Sequence, residues 1–233
     1  MIAALFPGLV TWLYFDVFPG TTATAVLYSA NKVVQVVFPL FWLAVVLREP
    51  AWSAFRKSLR LERAGLVAGA AFGLAAIAVM LGFYYAYFRD SRLLAGVPGT
   101  LFAKMGELGI ASPVKFIAFG LFLILLNSAL EEYYWRWFLF GRLRGLMPAW
   151  AAVILSAVAF SLHHAIALAS FIQPGHSLTT ALVFSAGVGM GGAAWAWIYH
   201  KTGSLTGAWL SHLLCDVPVI IIGLDFVRGC WRT

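Results

Sequence analysis

Residues 65–88 read GLVAGAAFGLAAIAVMLGFYYAYF, a run of 24 residues without Asp, Glu, Lys or Arg. At about 1.5 Å per residue, a helix of this length exceeds the ~30 Å hydrocarbon core of a bilayer. Gly65, Gly69 and Gly73 recur every four residues and therefore share one helical face. Because a stripe of small residues lets another helix approach closely, the run predicts a transmembrane helix packed against a second helix.

Apolar runs of similar length occur along the rest of the chain. From 145 to 200 no residue carries a formal charge, and Gln173-Pro174-Gly175 divides that stretch into two spans. The 233 residues are 62% hydrophobic and 11% charged, whereas soluble domains are roughly one quarter charged. This composition excludes a soluble globular protein and a disordered chain. The predicted spans are 3–18, 25–47, 65–88, 114–140, 149–171, 178–199 and 204–226.

These spans predict an all-α, polytopic membrane helix bundle of about seven transmembrane helices, with a range of six to eight. We expect one transmembrane domain. Its first part, 1–113, supplies accessory spans, and 114–226 carries most of the polar residues that lie within apolar runs. Since such residues are costly in lipid, we predict a polar intramembrane cavity in the C-terminal half.

The charge pattern indicates a membrane orientation and not a nucleic-acid partner. The chain has 16 Lys and Arg against 9 Asp and Glu, a net charge of +7, and the basic residues fall in short gaps between spans. The segment 48–63 holds five basic and two acidic residues, which is typical of a cytoplasmic loop. Alternation of the spans then places the N-terminus in the cytoplasm. The short chain favours a prokaryotic cell membrane, and no feature indicates an oligomeric state.

The fourth predicted span, 114–140, carries a cluster of ionisable residues in the sequence Glu131-Glu132-Tyr133-Tyr134-Trp135-Arg136. Glu132 and Arg136 are four residues apart, with the acid first, which is the favoured spacing for a helical ion pair. Glu131 is rotated about 100° around the helix and is free to face the bundle interior. Glu131 is therefore the candidate for chemistry. The alternative is that both carboxylates merely neutralise nearby basic groups.

The fifth and the last predicted spans each contribute a histidine to the candidate site. Phe160 and His164 share a helical face, so the aromatic ring can support the imidazole, whereas His163 points elsewhere. A carboxylate and an imidazole that face one cavity can take a proton from water. We therefore expect Glu131 and His164 to activate an attacking water. A packing role for His164 is the alternative.

His212 and Asp216 repeat the four-residue spacing in the last span. Asp216 is predicted to accept a hydrogen bond from one ring nitrogen, which leaves the other nitrogen to donate to a developing oxyanion. A hydrogen bond between helices without chemistry is the alternative. Zinc held by Glu131, His164 and His212 is also open, although the chain has no H-E-x-x-H motif. Cys215 in an apolar helix is a poor nucleophile.

Three motifs, in this order, resemble those of the CPBP family of CAAX-protease and bacteriocin-processing intramembrane proteases, also called Abi. They are E-E-x-x-x-R at Glu131, Glu132 and Arg136, F-x-x-x-H at Phe160 and His164, and H-x-x-x-D at His212 and Asp216. The resemblance covers about 114–225 and implies a catalytic core there. It implies that Glu131 and His164 activate water, that His212 and Asp216 form the oxyanion site, and that no catalytic metal is obligatory. Earlier assignments of the family as metalloproteases keep zinc open.

Asp216 departs from the Asn that the eukaryotic prenyl-protein proteases of this family carry in the third motif. A neutral amide can donate a hydrogen bond to an oxyanion, whereas an ionised carboxylate accepts only. Asp216 must therefore be protonated or act by orienting His212.

The residues and the resemblance together predict a glutamic-type intramembrane protease without a cofactor. It would hydrolyse a peptide bond of a membrane-associated protein or peptide, with C-terminal tag or CAAX-like processing as one form of that activity. A proton-coupled membrane transporter is the first alternative, since glutamate and histidine side chains also relay protons. A non-catalytic membrane protein that binds a peptide, such as an immunity factor, is the second.

Overall fold

A computed structural model describes residues 2–172 and 177–231. Within these ranges the chain forms nine helices and no strand, which confirms the predicted all-α class. The helices are α1 (Ile2–Val17), α2 (Thr22–Phe41, continued by the π-helical turn Trp42–Val46), α3 (Ala51–Ser58), α4 (Arg63–Phe88), α5 (Val97–Glu107), α6 (Pro113–Leu143), α7 (Ala149–Ala169), α8 (Ser177–Thr202) and α9 (Leu205–Val227).

Among the described helices, six are long and apolar enough to cross a membrane: α2, α4, α6, α7, α8 and α9. They coincide with six of the predicted spans. The predicted first span, 3–18, corresponds to α1, an apolar helix whose 16 residues extend about 24 Å and so fall short of the ~30 Å hydrocarbon core. The protein is thus an integral, multi-pass membrane protein with a helix count inside the predicted range.

Two shorter helices occupy segments that the sequence analysis left as loops. α3 lies in the basic segment 48–63 and carries Arg56 and Lys57 in its last turn. α5 packs through Met105 against Phe116 of α6 and Val227 of α9. α5 therefore joins the ends of two helices that carry candidate site residues.

The start of α9 is fixed by the turn that precedes it. Gly203 has a φ of 64°, a left-handed conformation that glycine adopts without strain. The hydroxyls of Ser204 and Thr206 then donate to the carbonyl oxygen of Arg60 at 2.8 and 2.9 Å. These bonds attach α9 to the segment just before α4.

The glycine stripe of α4 packs against the backbone of α9, as its spacing predicts. A Cβ added to Gly69 would overlap the carbonyl oxygen of Gly207, and one added to Gly207 would lie 2.5 Å from the carbonyl oxygen of Gly65. A Cβ on Gly73 would lie 2.6 Å from the Cβ of Leu214. The two helices are therefore in backbone contact along the half of α9 that leads to His212.

The first two helices are hydrogen-bonded to the middle of α6. The hydroxyl of Tyr133 donates to the carbonyl oxygen of Val36 in α2 at 2.9 Å, and the hydroxyl of Tyr134 donates to that of Ala3 in α1 at 2.6 Å. Both tyrosines are buried in the largest apolar cluster. The N-terminal helices thus pack directly on the helix that carries the candidate glutamates.

Candidate active site

The two adjacent glutamates lie in the middle of α6, between two π-helical turns. Leu123–Asn127 and Tyr133–Phe140 are π-helical, and the α-helical residues Ser128–Glu132 separate them. π-helical turns within longer helices are rare and concentrate at functional sites. Every residue of Tyr133–Phe140 is buried. This part of α6 therefore runs through the centre of the bundle.

Glu132 and Arg136 form the ion pair that their spacing predicts. Arg136 Nη1 lies 2.8 Å from Glu132 Oε1, and both side chains are almost completely buried. The guanidinium also lies over the rings of Phe160, at 4.3 Å, and Trp195, at 4.7 Å. Such cation–π contacts compensate a buried charge in part. Phe160 thus supports Arg136 as well as the histidine four residues further along α7.

His212 is oriented by Glu132. The Nδ1–H group of His212 donates to Glu132 Oε1 at 2.8 Å, and the Trp195 ring stacks on the imidazole at 3.9 Å. Asp216 Oδ1 lies 3.8 Å from Nε2, the opposite ring nitrogen, which is beyond hydrogen-bond distance. The predicted hydrogen bond between Asp216 and His212 is therefore not formed, and the ring is instead bonded through Nδ1 to a carboxylate on α6.

The carboxylate of Glu131 has different partners on its two sides. Asn127 Nδ2 donates to Oε1 at 3.0 Å, and Lys32 Nζ of α2 lies 3.8 Å from the same oxygen. Oε2 lies 3.7 Å from Nε2 of His212. Glu131 therefore faces a cation from α2 on one side and the imidazole of α9 on the other.

His164 lies beside Glu131, and one of its two ring nitrogens is free to accept a hydrogen bond. Its Nδ1 lies 3.0 Å from the carbonyl oxygen of Phe160, which can only accept, so Nδ1 carries the hydrogen. Nε2 is then the unprotonated nitrogen of the neutral ring. The Phe160 ring lies 4.6 Å from the His164 ring, which confirms the predicted support.

His163 also reaches the site, contrary to the prediction that it points elsewhere. Its ring stacks on that of Trp135 at 5.4 Å with an angle of 3°, and lies 4.1 Å from the ring of His164. One side-chain ligand atom from each of Glu131, His163 and His164 lies within 4.8 Å of the others. The spacing of neighbouring residues along α7 did not reveal this, because the packing of Trp135 sets the ring's direction.

Residues 113–218 match a family model described as type II CAAX prenyl endopeptidase Rce1-like. The resemblance to the CAAX-protease family is confirmed. The matched segment contains every residue of the three motifs, from Glu131 to Asp216. The match supports a CAAX-type membrane endopeptidase as the general reaction class. Comparison with curated proteins and with solved structures gives no match.

The residues that could bind a metal ion differ from the predicted set of ligands. A carboxylate and two imidazoles are suitable zinc ligands, and the structure gathers Glu131, His163 and His164. His212 is outside that group, and its Nδ1 is bonded to Glu132. The ammonium of Lys32 also lies 3.8 Å from Glu131 and compensates the charge that a metal would share. The carboxylate and the two imidazoles are therefore suitable ligands for zinc, whereas the positive charge of Lys32 beside Glu131 disfavours a cation there.

The polar side chains of the three motifs lie together in the C-terminal half. The polar cavity around them stays a prediction. A cavity of about 400 Å³ lies elsewhere, lined by Asp225, Phe226, Arg228 and Gly229. Asp225 there accepts hydrogen bonds from Tyr84 at 2.8 Å and Arg89 at 3.1 Å. These contacts hold the ends of α4 and α9 together.

The site also contains Lys32, which the predicted site lacked. It lies on α2, outside the matched segment. The sequence carries a signal for it, because Lys32 is the single formally charged residue in 25–47. An isolated charge within a transmembrane helix is a functional candidate by default. Its partner on α6 could not be read from the sequence.

Proposed function

We propose that the protein is a glutamic-type intramembrane endopeptidase in which Glu131 and His164 activate the attacking water. The observation that carries this proposal is the convergence of Glu131 with imidazoles from two other helices. His212 Nε2 lies 3.7 Å from Glu131 Oε2, and a ligand atom of His164 lies within 4.8 Å of a Glu131 oxygen. A water between Glu131 and His164 can hydrogen-bond to both.

In the first step, this water attacks the carbonyl carbon of the scissile peptide bond. Nε2 of His164 accepts one hydrogen bond from the water and thereby orients it, since Nδ1–H is bonded to the Phe160 carbonyl oxygen. Glu131 takes a proton from the water as the new C–O bond forms. General-base catalysis of this kind contributes about 10²- to 10⁴-fold.

In the second step, the tetrahedral intermediate collapses and the C–N bond breaks. The proton held by Glu131 passes to the leaving nitrogen, which leaves as an amine and restores the carboxylate. The same group thus acts as base and then as acid. The products are a peptide with a new C-terminal carboxyl and a peptide with a new N-terminal amine.

His212 supplies the hydrogen bond to the oxyanion in this proposal. Because Nδ1–H donates to Glu132, Nε2 can donate only when the ring is protonated at both nitrogens. Glu131 and Asp216 both face Nε2, at 3.7 and 3.8 Å, and offer negative charge to such a ring. The oxyanion then replaces water or a carboxylate as the acceptor of Nε2–H.

The substrate class that fits is a membrane-associated protein or peptide. The site is built on four transmembrane helices, so a substrate bond has to reach it from within or beside the bilayer. The match to the CAAX endopeptidase family favours cleavage near a C-terminus. Removal of a C-terminal tag is a reaction of this kind.

The test compares protein termini by mass spectrometry in cells that express the intact protein, Glu131→Gln or Glu107→Gln at equal levels. Glu107 is an exposed residue of α5 and serves as the matched control. We expect specific new termini of membrane-associated proteins with the intact protein and with Glu107→Gln. They should be absent with Glu131→Gln.

The lost termini would name both the substrate and the bond. If Glu131→Gln is expressed and folded yet no terminus changes, the proposal is wrong. Flux assays for a proton-coupled transporter and binding assays for a peptide-binding protein would then come next.

A further inference from the structure

The side chain of Lys32 is directed into the bundle. It occupies the second turn of the span Val26–Val46, and its side chain is 18% exposed. A lysine near a helix end can extend to the headgroups, but the amine of Lys32 is directed toward α6. Such a cation is costly in the membrane unless a partner compensates it.

The amine has a built set of polar partners. Lys32 Nζ donates to Asn127 Oδ1 at 2.5 Å and to Gln35 Oε1 at 3.5 Å. Gln35 in turn donates to Asn31 Oδ1 at 3.4 Å. These polar residues on one face of α2 direct the ammonium toward α6.

Asn127 connects Lys32 to Glu131. Its Oδ1 accepts from the lysine, and its Nδ2 donates to Glu131 Oε1 at 3.0 Å. An amide can serve two such partners in one orientation, because its oxygen only accepts and its nitrogen only donates. The chain Lys32–Asn127–Glu131 therefore fixes Oε1 toward α2 and leaves Oε2 toward the imidazoles.

The other charged groups around Glu131 have partners of their own. Of the lysine and arginine side chains in the described ranges, Lys32 is the one within 4 Å of a Glu131 oxygen, since Arg136 pairs with Glu132. The titratable and charged groups that face Glu131 are Tyr14 from α1, Tyr28 and Lys32 from α2, Glu132 and Arg136 from α6, His163 and His164 from α7, and His212 and Asp216 from α9.

We propose that Lys32, acting directly and through Asn127, is a positioning residue that keeps Glu131 an oriented carboxylate. This inference rests on the proposed role of Glu131 as the base. A carboxylate can accept the proton of water only while it is ionised, and a cation at 3.8 Å favours that form. Since α2 lies outside residues 113–218, the N-terminal part of the chain contributes to the site.

The first test measures the protonation of Glu131 without any substrate. Infrared spectra of the full chain in phospholipid vesicles at neutral pH distinguish the carboxylate stretch from the C=O stretch of a protonated acid. Difference spectra against Glu131→Gln, recorded in each background, assign the band to Glu131. We expect a carboxylate band in the wild type and in Lys32→Arg, and a protonated-acid band in Lys32→Met. An identical Glu131 signal in the wild type and in Lys32→Met would overturn the inference.

The second test uses the termini that distinguish the wild type from Glu131→Gln in cells. Lys32→Met should lower their abundance at least tenfold, a smaller loss than that caused by removing a base worth about 10²–10⁴-fold. Lys32→Arg should restore most of the cleavage, because it keeps the charge. Lys57→Met, at an exposed position of α3, is the matched control and should cleave normally.

The two tests separate the two proposals. If Glu131→Gln changes no termini, the proposed function is wrong, and the infrared measurement still decides the effect of Lys32 on Glu131. If Glu131→Gln abolishes cleavage while Lys32→Met cleaves like the wild type, the proposed function stands and the positioning role of Lys32 is wrong.

Discussion

Glu131 and Glu132 are neighbours in the chain, yet their carboxylates have different partners. Glu132 is buried against Arg136 and His212, each at 2.8 Å. Glu131 has Asn127 at 3.0 Å and keeps its second oxygen directed toward the imidazole of His212. Consecutive helical side chains are rotated by about 100°, so a step of one residue along α6 is enough to give the two carboxylates different surroundings.

Replacing Glu132 with Gln is expected to damage both stability and activity. The change leaves the buried Arg136 charge without its partner, and removal of one member of a buried pair typically costs about 3–5 kcal/mol. It also removes the acceptor that orients His212. Thermal unfolding in detergent and the cleavage rate would measure the two effects. Glu49→Gln is the control, because its pair with Arg142 is exposed and such pairs contribute about 0–1 kcal/mol. Equal stability of the two variants would contradict the prediction.

Asp216→Asn is expected to retain most of the activity. Asp216 makes no hydrogen bond to His212 in this structure, and an amide of the same shape can donate to an oxyanion. His212→Ala should instead lower kcat by about 10²- to 10³-fold, the usual loss for an oxyanion donor. Steady-state kinetics on the identified substrate would compare the two. A loss with Asp216→Asn as large as that with His212→Ala would assign Asp216 an essential role.

The cleavage rate is expected to fall in acid. Protonation of Glu131 or His164 removes the groups that accept the proton and orient the water. Rates measured in one vesicle preparation across the pH range would define this limb. A flat profile from about pH 5 to pH 8 would count against this mechanism.

Chelation is expected to leave activity unchanged, because each proposed step uses protein side chains and water. The purified protein would be dialysed against a strong chelator and assayed with and without added Zn²⁺. Loss of cleavage that Zn²⁺ alone restores would instead assign Glu131, His163 and His164 as metal ligands. His163→Ala would then abolish the restoration. If no metal takes part, His163→Ala should retain cleavage, because it leaves the proposed base and oxyanion donor unchanged.

Gly69→Ala is expected to destabilise the bundle and lower activity, because the added methyl group would overlap the Gly207 carbonyl oxygen. Overpacking of this kind costs about 1–3 kcal/mol, and relief by movement of α9 would displace His212. Gly82→Ala is the control on the same helix, since nothing lies within 4 Å of its added Cβ. Thermal unfolding and cleavage would be measured for both. Similar behaviour of the two variants would show that the contact is not needed.

Features that depend on spacing along one helix could be predicted from the sequence. The apolar runs predicted the six described helices that are long enough to cross a membrane. The four-residue spacing predicted the Glu132–Arg136 pair and the Phe160–His164 contact. The glycine stripe of α4 also packs as its spacing indicates. In each case the geometry of a single helix determines which side chains share a face.

Features that depend on how helices rotate against one another could not be predicted. The partner of His212 is Glu132, 80 residues earlier in the chain, and the partner of Glu131 is Lys32 on α2. Spacing along α9 indicated Asp216 instead. His163 was set aside for the same reason, since its direction follows from stacking on Trp135 of α6. Pairing across helices is set by packing in three dimensions, which one sequence does not specify.

The backbone contact between Gly69 and Gly207 bears on how a substrate enters. Where two helices meet without side chains between them, no flexible layer remains to be compressed. α4 and α9 therefore behave as one stiff wall of the bundle, with His212 fixed on it. The bundle would widen for a peptide more readily between α2 and α6, which are joined through side chains by the Tyr133 hydroxyl and the Lys32 network.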